Sequence, residues 1–167
     1  MSSAVVQKNK QVVQRIYEVG INERRLELTA ELISPDYVGP QGERGPGGFN
    51  ENVQSLLAAF PDIRFRIEDL LAEGDRVVVR WAWTGTHTGA FRGIAPTGRS
   101  VSTTGIVLYQ LRNGQVVRNW LENDRLGVLQ QLGRRVDHAA PRRADDVGHL
   151  EGARAPGDGA LEVRLRE

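Results

Sequence analysis

Seven titratable side chains stand where they could hold or move a proton: His87, Glu122, Asp124, Asp36 and the phenols Tyr17, Tyr37 and Tyr109. An imidazole titrates near neutral pH and can both give and take a proton. A carboxyl can do the same when burial raises its pKa. Such a set fits general acid/base chemistry without a metal. His87 is the only histidine before the last thirty residues, and a metal centre needs three or four ligands. The stretch around it, TGTHTGAFRGIAPTGRSV from Thr84 to Val101, leaves two readings open. His87 is a general base or donor at the rim of a cavity. Otherwise it ends a strand and bonds the backbone, a use the regular glycines Gly85, Gly89 and Gly93 favour. Strand alternation puts Asn119, Leu121 and Asn123 on one face, and Trp120 and Glu122 on the other. Asp124 follows, as an acid of the site or as the N-cap of a helix.

These residues need elements to position them. Val5, Val6, Val12, Val13, Ile16 and Tyr17 keep a helical period, which predicts one amphipathic helix over residues 4–21. LELTAELI, Leu26 to Ile33, predicts a short second helix that Ser34-Pro35 ends. DYVGP reads as extended and GERGPGG as a mobile loop. A third helix is expected from about Pro46 or Phe49 to Ala59. After Pro61 the period becomes two. Ile63, Phe65 and Ile67 alternate with charged residues, and Val77, Val79, Trp81 and Trp83 share a strand face. Asn113-Gly114 marks a hairpin. DRLGVLQQLG reads as a short C-terminal helix. Helices followed by hairpin-linked strands define an α+β fold with an antiparallel sheet. Several strands are apolar on both faces, so a second copy of the chain is expected against the sheet as a homodimer.

The chain has 167 residues, 40% hydrophobic and 26% charged, which allows one domain with a substantial core. Its net charge of +1 gives no field to recruit nucleic acid or an anionic membrane. The absence of cysteine excludes disulfides and thiolate chemistry. With no signal peptide or spanning segment read in the sequence, a cytoplasmic location is expected. Composition breaks near Gly133. Residues 134–167 hold seven Arg and seven acidic residues but no aromatic, so a domain over 1–133 and a disordered tail over 134–167 are expected. His138 and His149 fall in that tail. GERGPGG lacks the Lys-Ser/Thr of a phosphate loop and follows no strand pattern that would make it one.

AAFPDIRFRIEDLLAEGDRVVVRWAWTGTHTGAFRGIAPTGRSV, followed by NGQVVRNWLENDRLGVLQQLG, resembles the SnoaL-like polyketide cyclases, or ester cyclases, of the nuclear transport factor 2-like superfamily. The likeness runs from about Asn9 to Gly133. It implies a cone-shaped α+β barrel, in which a curved antiparallel sheet wraps around three N-terminal helices and a short C-terminal helix follows. A deep apolar cavity for a small hydrophobic, polycyclic substrate would lie inside, with Tyr17, Tyr37, Trp83, Phe91, Val107, Asn119 and Leu121 as wall residues. No cofactor or metal is implied. The aldol cyclases' assisting His falls on Val107 and their essential Asp on Leu121. The expected function is cyclisation, or a related dehydration or isomerisation in secondary metabolism, with His87, Asp124 and Glu122 as the acid/base groups. The alternative is a non-catalytic binding or accessory module on the same fold, including support of a hydroxylation step.

Overall fold

The computed structural model describes residues 2–134. The tail expected over 134–167, with His138 and His149, lies outside them apart from Arg134.

Helix α1, Ser3–Arg15, starts at Ser2, whose hydroxyl accepts from the Val5 N–H. The helical period continues as expected, but Ile16–Asn22 is wound as a π-helix rather than an α-helix. Ile16, Tyr17, Gly20 and Ile21 are buried in this wider turn. The segment ends on Asn22, whose side chain pairs with both backbone groups of Phe65, at 2.8 Å each. The Arg24 guanidinium then donates to the carbonyls of Ile21, Pro61 and Ile63. These bonds fix the end of the π-helical turn, and Tyr17 within it, against the sheet.

LELTAELI splits into a 3₁₀ turn, Leu26–Leu28, and a single α-helical turn, α2, Thr29–Leu32. Ile33 already belongs to strand β1, Ile33–Val38. Helix α3, Gly45–Ala59, follows, and Phe49 and Ala59 are buried along it. Strands β2 (Arg64–Glu73), β3 (Arg76–Thr86), β4 (Ser100–Arg112) and β5 (Gln115–Asn123) form an antiparallel meander, and α4, Arg125–Gln131, closes the domain.

The sheet order is β1-β5-β4-β3-β2. The all-antiparallel expectation needs one correction, because β1 runs parallel to β5. No hairpin links these two strands, so turn geometry does not dictate their relative direction. Besides a shift between Ile33 and Val38 on β5, two irregularities in the antiparallel ladders reset the alternation of side chains. Between Ile67 and Asp69 the register on β3 shifts at Glu68. Ile67 therefore pairs with Trp81 and Leu70 with Val79, while Leu71 is left outside, 68% exposed. In β5 the shift falls at Val117, so Val116 and Asn119 are both buried although three residues apart. The inner face carries Val77, Val79, Trp81 and Trp83 from β3, and Val107, Tyr109 and Leu111 from β4. The helices pack against it. The outer face leaves Ile106 and Trp120 exposed, with the Arg118 guanidinium over the Trp120 ring.

Candidate functional site

Between the inner face of the sheet and the helices lies a cavity of about 520 Å³, within the range of small-molecule sites. All seven residues expected in its wall, Tyr17, Tyr37, Trp83, Phe91, Val107, Asn119 and Leu121, line it. Val107 and Leu121 are direct cross-strand partners. The two positions that the family likeness matches to a His and an Asp therefore face the same space side by side. Here both are hydrocarbon.

The inner end of the cavity is polar but uncharged. Tyr17 and Tyr109 come from α1's π-helical extension and from β4, and their hydroxyls meet at 2.8 Å. The Tyr37 hydroxyl, from β1, donates to Asn119 Oδ1 at 2.6 Å. Burial is the main cause that pushes the Tyr17, Tyr37 and Tyr109 pKa values above the ordinary 10.0. The neighbouring Tyr109 and Glu43 raise Tyr37 further. All three phenols are protonated at neutral pH. The Trp81 indole N–H lies near the Tyr17 hydroxyl but completes no hydrogen bond. One hydroxyl hydrogen of the Tyr17–Tyr109 pair and the indole N–H remain uncommitted, and none of these groups carries charge.

The mouth is different. Gln41, Asn52, Arg92 and Arg125 are exposed there, and Glu43 is half-buried. Glu43 is the one carboxylate in the wall. It sits in the turn between β1 and α3, which the Gly39 N–H closes on the Glu43 carbonyl at 2.9 Å. Burial pushes its pKa up, but hydrogen bonds from the Asn52 side chain and from the Glu43 and Gln41 backbone outweigh this, and the net direction is below the ordinary 4.5. A side chain on Gly39 would collide with Glu43 Oε2 and stand 2.9 Å from the Tyr37 hydroxyl. The two oxygens are thus neighbours across that glycine. GERGPGG, expected as a mobile loop, is here a bonded turn leading into α3.

Glu43 was not singled out by sequence reasoning. The usable signal was the glycine spacing around it, since a side chain at Gly39 or Gly48 would meet Glu43.

The three acid/base candidates from the sequence lie elsewhere. His87 does not look into the cavity from its rim, which corrects that expectation. It is completely buried, with Phe60 and Phe91 rings at 5.3 and 6.4 Å. The Thr97 N–H donates to Nδ1 at 3.2 Å, so Nδ1 is the acceptor and the ring proton sits on Nε2, which has no partner. Its backbone bonds Arg99 and Gly98. His87 therefore closes the base of the 88–98 loop, which carries Phe91 and Arg92 to the cavity. Bonds from the Thr88 and Gly89 N–H groups to the Ala59 carbonyl hold the same loop on the end of α3. Asp124 is exposed and caps α4, accepting from the Gly127 N–H at 2.8 Å. Glu122 is exposed on the outer face of β5, beside Arg80, Ile106 and Asp124 in a shallow depression. Asp36 is exposed too. The strand parity read for Asn119, Leu121 and Glu122 agrees with these placements. Among the described residues no three His, Cys, Asp or Glu side chains cluster in a way that could hold a metal ion.

An open sheet of this order, with helices on one face and a deep cavity between, is the architecture of the nuclear transport factor 2-like folds. Residues 11–132 match the SnoaL-like polyketide cyclase family, and the chain belongs to that family. It is 32% identical over 130 residues to the aklanonic acid methyl ester cyclase AcmA of Streptomyces galilaeus, a match spanning 72% of this chain and 88% of the relative. A candidate SnoaL-like polyketide cyclase of Jannaschia sp. CCS1 superposes with a TM-score of 0.74 at 25% identity, over 84% of this chain and 99% of that one. AclR of Streptomyces galilaeus, a candidate hydroxylase, superposes with a TM-score of 0.68 at 28% identity, over 77% and 97% of the two chains. Among the described residues no helix is long and apolar enough to cross a membrane.

Proposed function

We propose that the cavity binds an apolar, oxygenated, polyketide-like substrate and promotes a cofactor-independent ring closure, or a related dehydration or isomerisation. One observation carries this reading: three protonated phenols converge in an otherwise apolar chamber whose mouth holds a single carboxylate. Removing a proton next to a ketone leaves negative charge on the oxygen. Fixed neutral donors in a water-poor site stabilise that charge as it forms. The free hydroxyl hydrogen of the Tyr17–Tyr109 pair is placed for this, while Tyr37 spends its own on Asn119. Glu43, held ionised by its hydrogen bonds, takes the proton. The enolate carbon then attacks a second carbonyl of the folded substrate, closing the ring, and the proton taken by Glu43 returns to the new alkoxide. His87 supports this by holding the loop that brings Phe91 to the wall.

The second reading is a binding or accessory module, and Val107 and Leu121 favour it, because neither can move a proton. Incubation with aklanonic acid methyl ester separates the two. Consumption that falls on Tyr17→Phe and Glu43→Gln supports the enzyme. Binding without consumption supports the module. The exposed Ile106, Trp120 and Leu71 of the outer face are where we place the second subunit of a homodimer. Equilibrium sedimentation that returns a monomer with these residues intact would remove that part.

A further inference from the structure

A buried polar group with no partner costs free energy, so its persistence needs an explanation. In the cavity wall that group is the Trp81 indole nitrogen. Trp81 is 4% exposed, its N–H finds no acceptor, and its ring lines the cavity. An indole N–H can only donate.

The ring is held in place by specific neighbours. Trp81 pairs across the strands with Gly105, and a side chain there would come within 2.5 Å of two indole carbons. Glycine at 105 therefore leaves the space the indole occupies. Phe65 packs edge-on against it, with ring centroids 5.1 Å apart. Beside it, the Tyr17–Tyr109 contact uses one hydroxyl hydrogen and leaves the other free. This corner thus holds two uncommitted donors, the indole N–H and one phenol O–H.

We infer that Trp81 and the Tyr17–Tyr109 pair form a subsite for an acceptor-only oxygen: a ketone, quinone or enolate oxygen at the inner end of the ligand. The inference rests on the reading of the cavity as a substrate site and names the chemical group that site selects. A ligand presenting a hydroxyl hydrogen or a bare ring edge there leaves the indole N–H unsatisfied. A carbonyl satisfies the indole and the free phenol together. Trp81 is then a specificity-determining residue that fixes which carbonyl of the substrate is buried.

The test uses the full chain and two tricyclic probes of nearly equal shape, 9-fluorenone and fluorene, which differ by a carbonyl against a methylene. Affinities are measured by calorimetry, and the ¹³C-labelled carbonyl stretch of bound fluorenone by infrared difference spectroscopy. Fluorenone is expected to bind about tenfold tighter than fluorene, as one or two net hydrogen bonds allow. Its carbonyl band is expected at lower frequency than in an alkane solvent. Trp81→Phe should remove most of the preference and move the band back up, with fluorene affinity nearly unchanged. Tyr109→Phe, which leaves the indole in place, should do so in part. Equal binding of the two probes to the wild-type protein, with an unshifted band, overturns the subsite and leaves the apolar cavity standing. Preference and band position that survive both substitutions also overturn it. Failure of fluorene as well as fluorenone to bind removes the subsite together with the substrate-site reading.

Discussion

At the inner end of the cavity Tyr17 and Tyr109 are 3% exposed, Tyr37, between them and Glu43, is 2% exposed, and burial keeps all three hydroxyls protonated. At the mouth, Glu43 keeps contact with water and is held ionised by the Asn52 side chain and backbone N–H groups. The contrast follows from solvation. A charge buried deep needs a partner or shifts its pKa until it is neutral. The inner groups are therefore donors, suited to receiving charge that develops on a substrate. Glu43, proposed as the base, sits where water helps hold its charge. Val107 and Leu121 lie opposite each other in the cavity wall. They are apolar, so on the proposed reading proton transfer falls to other residues of the wall.

The sharpest way to break this comparison is to remove hydroxyls from the inner end. Tyr17→Phe and Tyr109→Phe together should lower turnover about 10²- to 10³-fold, the range for losing preorganised donors, with a loss of ligand affinity of about tenfold or less. Steady-state kinetics with separate binding measurements check this. Glu43→Gln should lower turnover about 10²-fold as loss of a general base. It should also abolish the fall in rate as pH drops through the Glu43 pKa, which lies below 4.5. A pH–rate profile of the two proteins tests that.

Stability at high pH sharpens the same contrast. The phenols' folded pKa values lie above the ordinary 10.0. Their contribution is complete below pH 10 and is lost as pH rises, because only the unfolded chain can then release the protons. The loss is about 1.4 kcal/mol per pH unit for each buried phenol. Denaturant titrations above pH 10 should show a shallower decline for Tyr17→Phe. Smaller effects are expected outside the cavity. His87→Ala should loosen the 88–98 loop and cost about 2 kcal/mol of stability, with faster proteolysis there. Asp124→Ala should cost about 1 kcal/mol through loss of the α4 cap and leave turnover unchanged.

The strands and helices were legible because hydrophobic period is a local signal. Val77, Val79, Trp81 and Trp83 face inward together as their alternation requires. Alternation in β5 also put Glu122 and Leu121 on opposite faces. Three features were not legible. The parallel β1–β5 pairing joins strands far apart in sequence. The register shifts at Glu68 and Val117 become visible only against the partner strand. The site chemistry was hidden for the same reason. His87, the residue most conspicuous by type, is used to hold a loop, and Asp124 caps a helix. Glu43 sits in a glycine-rich turn, marked only by the glycines at 39 and 48 that leave room for its side chain. The phenols were visible as titratable residues, but only tertiary packing brings Tyr17 onto Tyr109 across 92 positions of sequence.

The most direct measurement is the conversion of an aromatic polyketide ester by wild-type and Tyr17→Phe proteins, with affinity for the ester measured in parallel. The account predicts a ring-closed or isomeric product from the wild type, and from the variant an affinity within about tenfold of it but conversion slower by at least about a hundredfold. Binding of the ester by the wild type with no product, or equal rates for the two proteins, would contradict it.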